Sequence, residues 1–240
     1  MNIVVPDWPA PARVKSLLTT RAGGVSAPPW ASLNLGDHVG DDPAAVAANR
    51  ARLRERLPAE PGWLRQVHSA RVVELGRDSE READAAVTRA PGQVCAVLTA
   101  DCLPVLFCDR AGSVVAAAHA GWRGLAGGVL EATAAAMQVP PAEIIAWMGA
   151  AIGPEAFEVG DEVRLAFVDR HPEAAATFAP QSAAGKWRAD IYQLARIRLG
   201  HAGVHAVYGG GRCTFSEAET FYSYRREGVT GRMAALVWLA

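Results

Sequence analysis

A cysteine and a histidine stand at the ends of two consecutive apolar runs in the middle of the chain. Cys102 precedes the run Leu103–Cys108, and His119 follows the run Val114–Ala118. Both runs are short and bounded by Asp, Gly and Ser, which is typical of buried strands. A turn at 109–112 would join them into a hairpin, in which the start of one strand lies opposite the end of the other. We therefore expect Cys102 and His119 to be neighbours at one rim of a sheet.

A Cys–His pair on a rigid rim is either a metal site or a nucleophile with its base. A free cysteine is also commonly buried and packs as a small hydrophobe, so a core role for Cys102 stays open. Asp101 and Pro104 are poor residues for the middle of a sheet, which favours a strand end here. Asp101 would either accept a hydrogen bond from a ligand imidazole or simply form the turn.

Several motifs along the chain resemble those of the laccase-domain family, also called the multicopper polyphenol oxidase, purine nucleoside phosphorylase or peptidoglycan-editing-factor family. The most specific are Thr-Ala-Asp-Cys-Leu-Pro-Val-Leu at 99–106 and His-Ala-Gly-Trp-Arg-Gly at 119–124. Further blocks that resemble the family occur at 19–26, 32–36, 38–42, 66–68, 152–154, 157–160, 223–226 and 230–234. Ser69 and Ala150 depart from the family pattern, where Gly and Pro are usual. The resemblance implies a single domain spanning 1–240.

The same resemblance implies one zinc ion bound by His68, Cys102 and His119. Without it, His68 would more often be an ordinary surface histidine, because the spacings of 34 and 17 residues match no local zinc-finger pattern. Two imidazoles and one thiolate suit Zn²⁺, and three protein ligands leave a fourth position open, as at catalytic zinc sites.

Copper is less favoured as the resident metal. The six histidines include no His-x-His pair and are too few for the copper centres of a multicopper oxidase. His171 and His201 are predicted to lie in loops. A three-ligand site would still take up Cu²⁺ adventitiously, because Cu²⁺ binds such donors more tightly than Zn²⁺.

Arg123 is a candidate for binding an anionic substrate. It lies four residues after His119 and just before a helix predicted at 124–137. The N-terminus of a helix offers free N–H groups and a positive dipole to a phosphate, and Arg123 would add a bidentate contact.

Other polar residues beside glycines or aromatic residues are weaker candidates. Arg225 and Arg226 in Ser-Tyr-Arg-Arg, and Arg21 near a Gly-Gly pair, would bind an anion or form surface salt bridges. Asn34, between two leucines, would hydrogen-bond a sugar or base, or form a turn. We assign Asn34, Arg21 and Arg225 to substrate binding as expectations.

Composition limits the choice of partners and compartment. The 240 residues carry a formal net charge of −1, which gives no electrostatic reason for binding nucleic acid or a membrane surface. The four cysteines show no Cys-x-x-Cys spacing and are expected to be reduced, which indicates a cytoplasmic protein. We find no secretory signal pattern and no run of the ~20 apolar residues that would cross a bilayer.

Strands occur in runs rather than alternating with helices, which favours an α+β fold over a doubly wound one. The resemblance implies the same: a single domain of mixed β-sheets packed as a sandwich and flanked by helices. Strands are predicted at 13–20, 63–67, 71–75, 84–88, 94–99, 103–108, 113–119, 144–148, 204–208 and 233–239. Helices are predicted at 43–57, 124–137, 160–169 and 189–199.

The resemblance implies a zinc-dependent purine nucleoside phosphorylase that acts on adenosine, inosine and methylthioadenosine with phosphate, and that also deaminates adenosine. Cys102, His119 and Arg123 are its expected catalytic residues. The first alternative is a hydrolase that removes misincorporated serine from a peptidoglycan precursor at the same site. A metal-binding regulatory protein without turnover and, less favoured, a copper-dependent phenol oxidase are further alternatives.

Overall fold

Residues 1–240 are described by a computed structural model in which fourteen strands form three sheets. In chain order the strands are β1 (Ile3–Val4), β2 (Val14–Thr19), β3 (Pro61–Gly62), β4 (Val72–Glu74), β5 (Ala85–Thr88), β6 (Val94–Thr99), β7 (Leu103–Asp109), β8 (Val115–Ala120), β9 (Ile144–Met148), β10 (Glu158–Gly160), β11 (Phe178–Pro180), β12 (Lys186–Ala189), β13 (Ala206–Gly209) and β14 (Met233–Leu239). A five-stranded sheet has the order β1-β2-β14-β6-β3, a six-stranded sheet has the order β13-β9-β7-β8-β5-β4, and β10-β12-β11 form a small third sheet.

Six α-helices flank the sheets. They are α1 (Pro43–Arg54), α2 (Trp122–Gly127), α3 (Val129–Ala136), α4 (Asp161–Val168), α5 (Ile191–His201) and α6 (Tyr224–Glu227), with 3-10 helices at Pro141–Glu143 and Pro172–Thr177. The predicted start of α1 is confirmed: the Asp42 carboxylate accepts the N–H of Ala44, and Pro43 occupies the first helical position. None of these helices has the length and hydrophobicity needed to span a bilayer.

The hairpin β7–β8 is buried on both faces. Because side chains alternate along a strand, Val105 and Phe107 pack towards the helices, whereas Leu106 and Cys108 pack towards the five-stranded sheet. The core between the two large sheets contains side chains from both, and a third apolar cluster joins α1 to the outer face of the five-stranded sheet. The predicted α+β sandwich flanked by helices is confirmed.

Some elements differ from the prediction. No strand forms at 63–67, where only Arg65 makes an isolated bridge with Glu82. The helix predicted at 124–137 begins earlier, at Trp122, and is divided in two by Gly128, whose φ of 99° lies in the left-handed region. The third sheet and α6 were not predicted, because their segments are only three or four residues long and lack a clear apolar period.

Candidate metal centre

The hairpin places Cys102 and His119 at one rim of the six-stranded sheet. Pro104 pairs with His119 in the antiparallel register, so Cys102, which directly precedes β7, lies near the end of β8. His68 approaches from the loop before β4, with its Nε2 atom 3.8 Å from the Sγ atom of Cys102. The potential ligand atoms of His68, Cys102 and His119 all lie within 4.8 Å of one another.

The fully buried Asp84 orients both histidines. Its Oδ1 atom lies 2.9 Å from Nδ1 of His119 and also accepts the backbone N–H of His68 at 2.9 Å. Its Oδ2 atom accepts the backbone N–H groups of Val67 and Ser69 and the Ser69 hydroxyl. Since a carboxylate can only accept, neutral His119 carries its proton on Nδ1, and Nε2 is left for a metal.

The side chains of Asp84, Cys102 and His119 shift one another's pKa values. Burial opposes ionisation of Asp84, but hydrogen bonds from His119 and Ser69 lower its pKa to about 2. Burial also opposes ionisation of Cys102, yet the charge and hydrogen bond of His119, and then those of His68, lower the pKa of the thiol below its usual value. Burial lowers the pKa of His119, whereas Cys102 and Asp84 raise it by a larger amount. Cys102 and His119 therefore each favour the charged form of the other, and a divalent cation bound to both would displace the imidazolium proton.

Gly121 keeps the space between the ligands open. A Cβ atom at this position would lie 2.8 Å from Cδ2 of His68 and 2.9 Å from Sγ of Cys102. The neighbouring loop is fixed by Gln66, whose side-chain amide bonds both the N–H and the carbonyl of Leu98. His68 itself has a φ of 60°, a conformation that three N–H contacts to Asp84 around it support.

The donors present fit a zinc-type ion. Two imidazole nitrogens and one low-pKa thiol are the ligand set that Zn²⁺ accepts, and a carboxylate-oriented histidine is the usual support for it. The three groups face a shared cavity, so a fourth coordination position would be open to substrate or water.

The cavity beside these ligands has a volume of about 580 Å³. Its walls combine apolar, aromatic and cationic side chains with the three potential ligands, and its lining residues are His38, Gln66, His68, Leu98, Thr99, Ala100, Asp101, Cys102, His119, Trp122, Arg123, Ile152, Phe157, Tyr224, Arg225 and Arg232. Aromatic faces beside guanidinium groups can accept a planar base and an anion in one pocket.

Three arginines line this cavity, two of which were expected. Arg123 lies within the first turn of α2, one residue after its start, and its guanidinium stacks on the Trp122 ring at 4.4 Å. Arg225 bonds the carbonyl of Glu158 through Nη1. Arg232 was not identified from the sequence, although it lies in one of the blocks that resemble the family, at 230–234.

Asn34, Arg21 and Arg226 are not on the cavity wall. The amide of Asn34 is fully buried and uses both ends within the protein: it donates to Gly36 and Asp41, and it accepts N–H groups from Gly36 and Arg232. The guanidinium of Arg21 bonds Glu227 and the carbonyls of Ala218 and Ala31. Arg226 likewise bonds the carbonyls of Thr214, Phe215 and Phe221. The polar atoms of Asn34 and Arg21 are thus paired inside the fold and away from this cavity, and their contact with substrate stays a prediction.

Asp101 forms the turn rather than supporting an imidazole. Its carboxylate accepts the Thr214 hydroxyl at 2.6 Å and the backbone N–H of Arg225 at 2.7 Å, and its φ is 85°. The supporting role belongs to Asp84, which no sequence pattern indicates, because Asp84 lies 18 residues before Cys102 and outside the motifs that resemble the family.

Comparisons with known proteins find one family model and several relatives that match nearly the whole chain. The model of a family described as multi-copper polyphenol oxidoreductase laccase matches residues 15–240. A Pseudomonas aeruginosa protein named purine nucleoside phosphorylase PA4543 is 61% identical over 236 residues, which cover 98% of each chain. The Escherichia coli K12 protein named purine nucleoside phosphorylase YfiH is 54% identical over 242 residues, 99% of each chain. The crystal structure of Neisseria meningitidis protein NMB0706 superposes with a TM-score of 0.95 at 56% identity, covering 100% of this chain and 99% of that one.

Proposed function

This chain belongs to the multi-copper polyphenol oxidoreductase laccase family, and we propose that it is a zinc-dependent purine nucleoside phosphorylase, as the names of its relatives and its own donor set indicate. Adenosine, inosine and methylthioadenosine are the proposed nucleosides, with inorganic phosphate as the second substrate. The observation that carries the proposal is the His68–Cys102–His119 donor set opening into a cavity with aromatic and guanidinium walls. The names of the relatives at 50–61% identity supply the reaction class.

Phosphorolysis needs an anion site beside a planar-base site. Phosphate attacks C1′ of the ribose, and the purine leaves with the electrons of the glycosidic bond through an oxocarbenium-like state. Arg123 and Arg232 would hold the phosphate by charge-assisted hydrogen bonds, while Phe157 or Tyr224 would contact the face of the base. Zinc, when bound by the three ligands, supplies a Lewis acid that orients phosphate or polarises the leaving base.

The products of the reaction test this proposal directly. Zinc-loaded protein should convert inosine to hypoxanthine and ribose 1-phosphate only when phosphate is present. Free ribose would indicate hydrolysis, and inosine formed from adenosine would reveal deamination. Release of serine from a peptidoglycan precursor without nucleoside cleavage would favour the editing hydrolase, and absence of any turnover would favour a binding protein.

Arg123 offers a test of the anion site. Arg123→Ala should raise the KM for phosphate at least about tenfold and change the nucleoside KM much less, because one charge-assisted hydrogen bond contributes about 1.5–3 kcal/mol. Arg56→Ala, on an exposed arginine outside the cavity, is the matched control. Equal increases in both KM values would show that Arg123 maintains the shape of the pocket and does not bind phosphate specifically.

The role of Cys102 separates a zinc enzyme from a cysteine hydrolase. If Cys102 is a metal ligand, chelation abolishes turnover and exposes its thiol to alkylation, and added zinc reverses both effects. Cys213, a partly exposed cysteine outside this cavity, provides an internal comparison whose alkylation should not respond to zinc. Full activity in a zinc-free sample, lost on alkylation of Cys102, would overturn the zinc mechanism in favour of the hydrolase.

A further inference from the structure

A second group of potential metal ligands lies away from the candidate metal centre. His171, Glu173 and His201 offer two imidazole nitrogens and a carboxylate oxygen within 4.8 Å of one another. His171 directly precedes the 3-10 helix Pro172–Thr177, and Glu173 lies in the first turn of that helix. His201 is the last residue of α5, which corrects the prediction that it lies in a loop.

This group is separate from the cavity beside His68, Cys102 and His119, because none of its residues lines that cavity. At the other end of α5, the Tyr192 hydroxyl bonds the backbone of Gly149 and Ala151 near the end of β9. The helix then runs for 11 residues, about 16 Å at 1.5 Å per residue, to His201. The two clusters therefore share no ligand and cannot hold the same ion.

The three side chains lie in contact with one another. His171 has an extended conformation, as expected before proline, and its N–H bonds the carbonyl of Phe167. The imidazole rings of His171 and His201 lie 4.2 Å apart between centroids with a tilt of 31°, and Nε2 of His201 already contacts the Glu173 carboxylate. About half of the Glu173 and His201 side-chain surface is exposed, so an ion has direct access.

Arg198 is a cationic side chain that packs near this cluster, and its charge would repel a bound cation. Its guanidinium forms an ion pair with Glu131, which reduces that repulsion.

We propose that His171, Glu173 and His201 form a second metal site that binds a divalent first-row transition ion of the Zn²⁺ or Cu²⁺ type. Two imidazoles and one carboxylate are donors that these ions accept, and the order of intrinsic affinity places Cu²⁺ above Zn²⁺. The bound ion would link the 3-10 helix Pro172–Thr177 to the C-terminal end of α5. The site does not depend on the proposed phosphorylase activity.

Metal counting on the full-length protein tests this site. After dialysis against micromolar Zn²⁺, the wild type should retain about two ions per chain, and His171→Ala or His201→Ala about one. His205→Ala, which removes an exposed histidine outside both clusters, is the control and should retain both ions. One ion in the wild type, or two in both variants, would overturn the proposal.

Cobalt substitution shows which ion is lost. Co²⁺ bound through the Cys102 thiolate absorbs in the near ultraviolet, whereas Co²⁺ held by histidine and carboxylate does not. The His171→Ala and His201→Ala variants should therefore lose one equivalent of Co²⁺ and keep the full thiolate band. If both variants lost the thiolate band together with one equivalent of Co²⁺, the lost ion would be the one bound by Cys102. That result would refute the second site.

Discussion

Replacing Asp84 with asparagine would remove one of two carboxylate oxygens that are both fully used. In one orientation of the new amide, its NH₂ group faces the backbone N–H groups of Val67 and Ser69. In the other orientation it faces the N–H of His68 and Nδ1 of His119. A donor that faces the fully buried Asp84 side chain and loses its acceptor costs up to about 1–3 kcal/mol, so either orientation lowers the free energy of unfolding.

The second orientation also damages the metal site. His119 would accept a hydrogen bond at Nδ1 and carry its proton on Nε2, the atom that a metal requires. Loss of a carboxylate that supports a ligand histidine typically lowers metal affinity by about 10–100-fold. Asp84→Asn should therefore raise the Kd for zinc by about that factor, in addition to its cost in stability.

Competition with a chromophoric chelator would measure the zinc Kd, and denaturation in chelator would measure stability without metal. Asp109→Asn is a matched control, because the buried Asp109 carboxylate accepts the N–H groups of Ser113 and Val114 and the Ser113 hydroxyl at the other end of the same hairpin. This control should lose stability but retain the wild-type Kd. An unchanged zinc Kd in Asp84→Asn, or the same increase in both variants, would refute the role assigned to Asp84.

Two further predictions concern glycine and acid stability. Gly121→Ala should abolish metal binding, because the new Cβ atom would lie 2.8 Å from the His68 ring. Gly127→Ala is the control and should bind zinc normally, because a Cβ atom there has no neighbouring atom within 4 Å. Equal zinc contents in the two variants would contradict this prediction. Burial opposes ionisation of Asp109, but hydrogen bonds from Ser113 outweigh it and lower the pKa of Asp109, so its contribution to stability is present above about pH 4 and is lost as the pH falls through the folded pKa. The unfolding free energy of Asp109→Asn should depend less on pH below about 4 than that of the wild type, and parallel pH curves would disprove the assignment.

The sequence predicted the structure best where an apolar pattern and a motif fall on the same residues. The hairpin β7–β8 was predicted within about two residues at each end, because its two runs are apolar throughout and bounded by turn residues. Its antiparallel geometry then follows, and with it the closeness of Cys102 and His119. His68 joined this pair only through the family resemblance, since its own surroundings are those of a surface loop.

What the sequence could not predict depends on contacts distant along the chain. Asp84 gains its role only when the loop at 67–69 folds over the end of β8. Asn34 has the residue type of a substrate contact, but its neighbours in space satisfy its amide completely. His171 and His201 are 30 residues apart, and only the packing of α5 against the second 3-10 helix brings their rings together.

The burial of β7–β8 on both faces has a consequence for how the rim opens. Amide hydrogens in this hairpin should exchange with solvent only through global unfolding, because neither face can separate without disrupting a core. The segment 66–69 is instead held by the side chains of Gln66 and Asp84 and can detach as a small unit. A metal bridging His68 to the hairpin would couple these two regions, so that the loop acquires the exchange protection of the strands it faces.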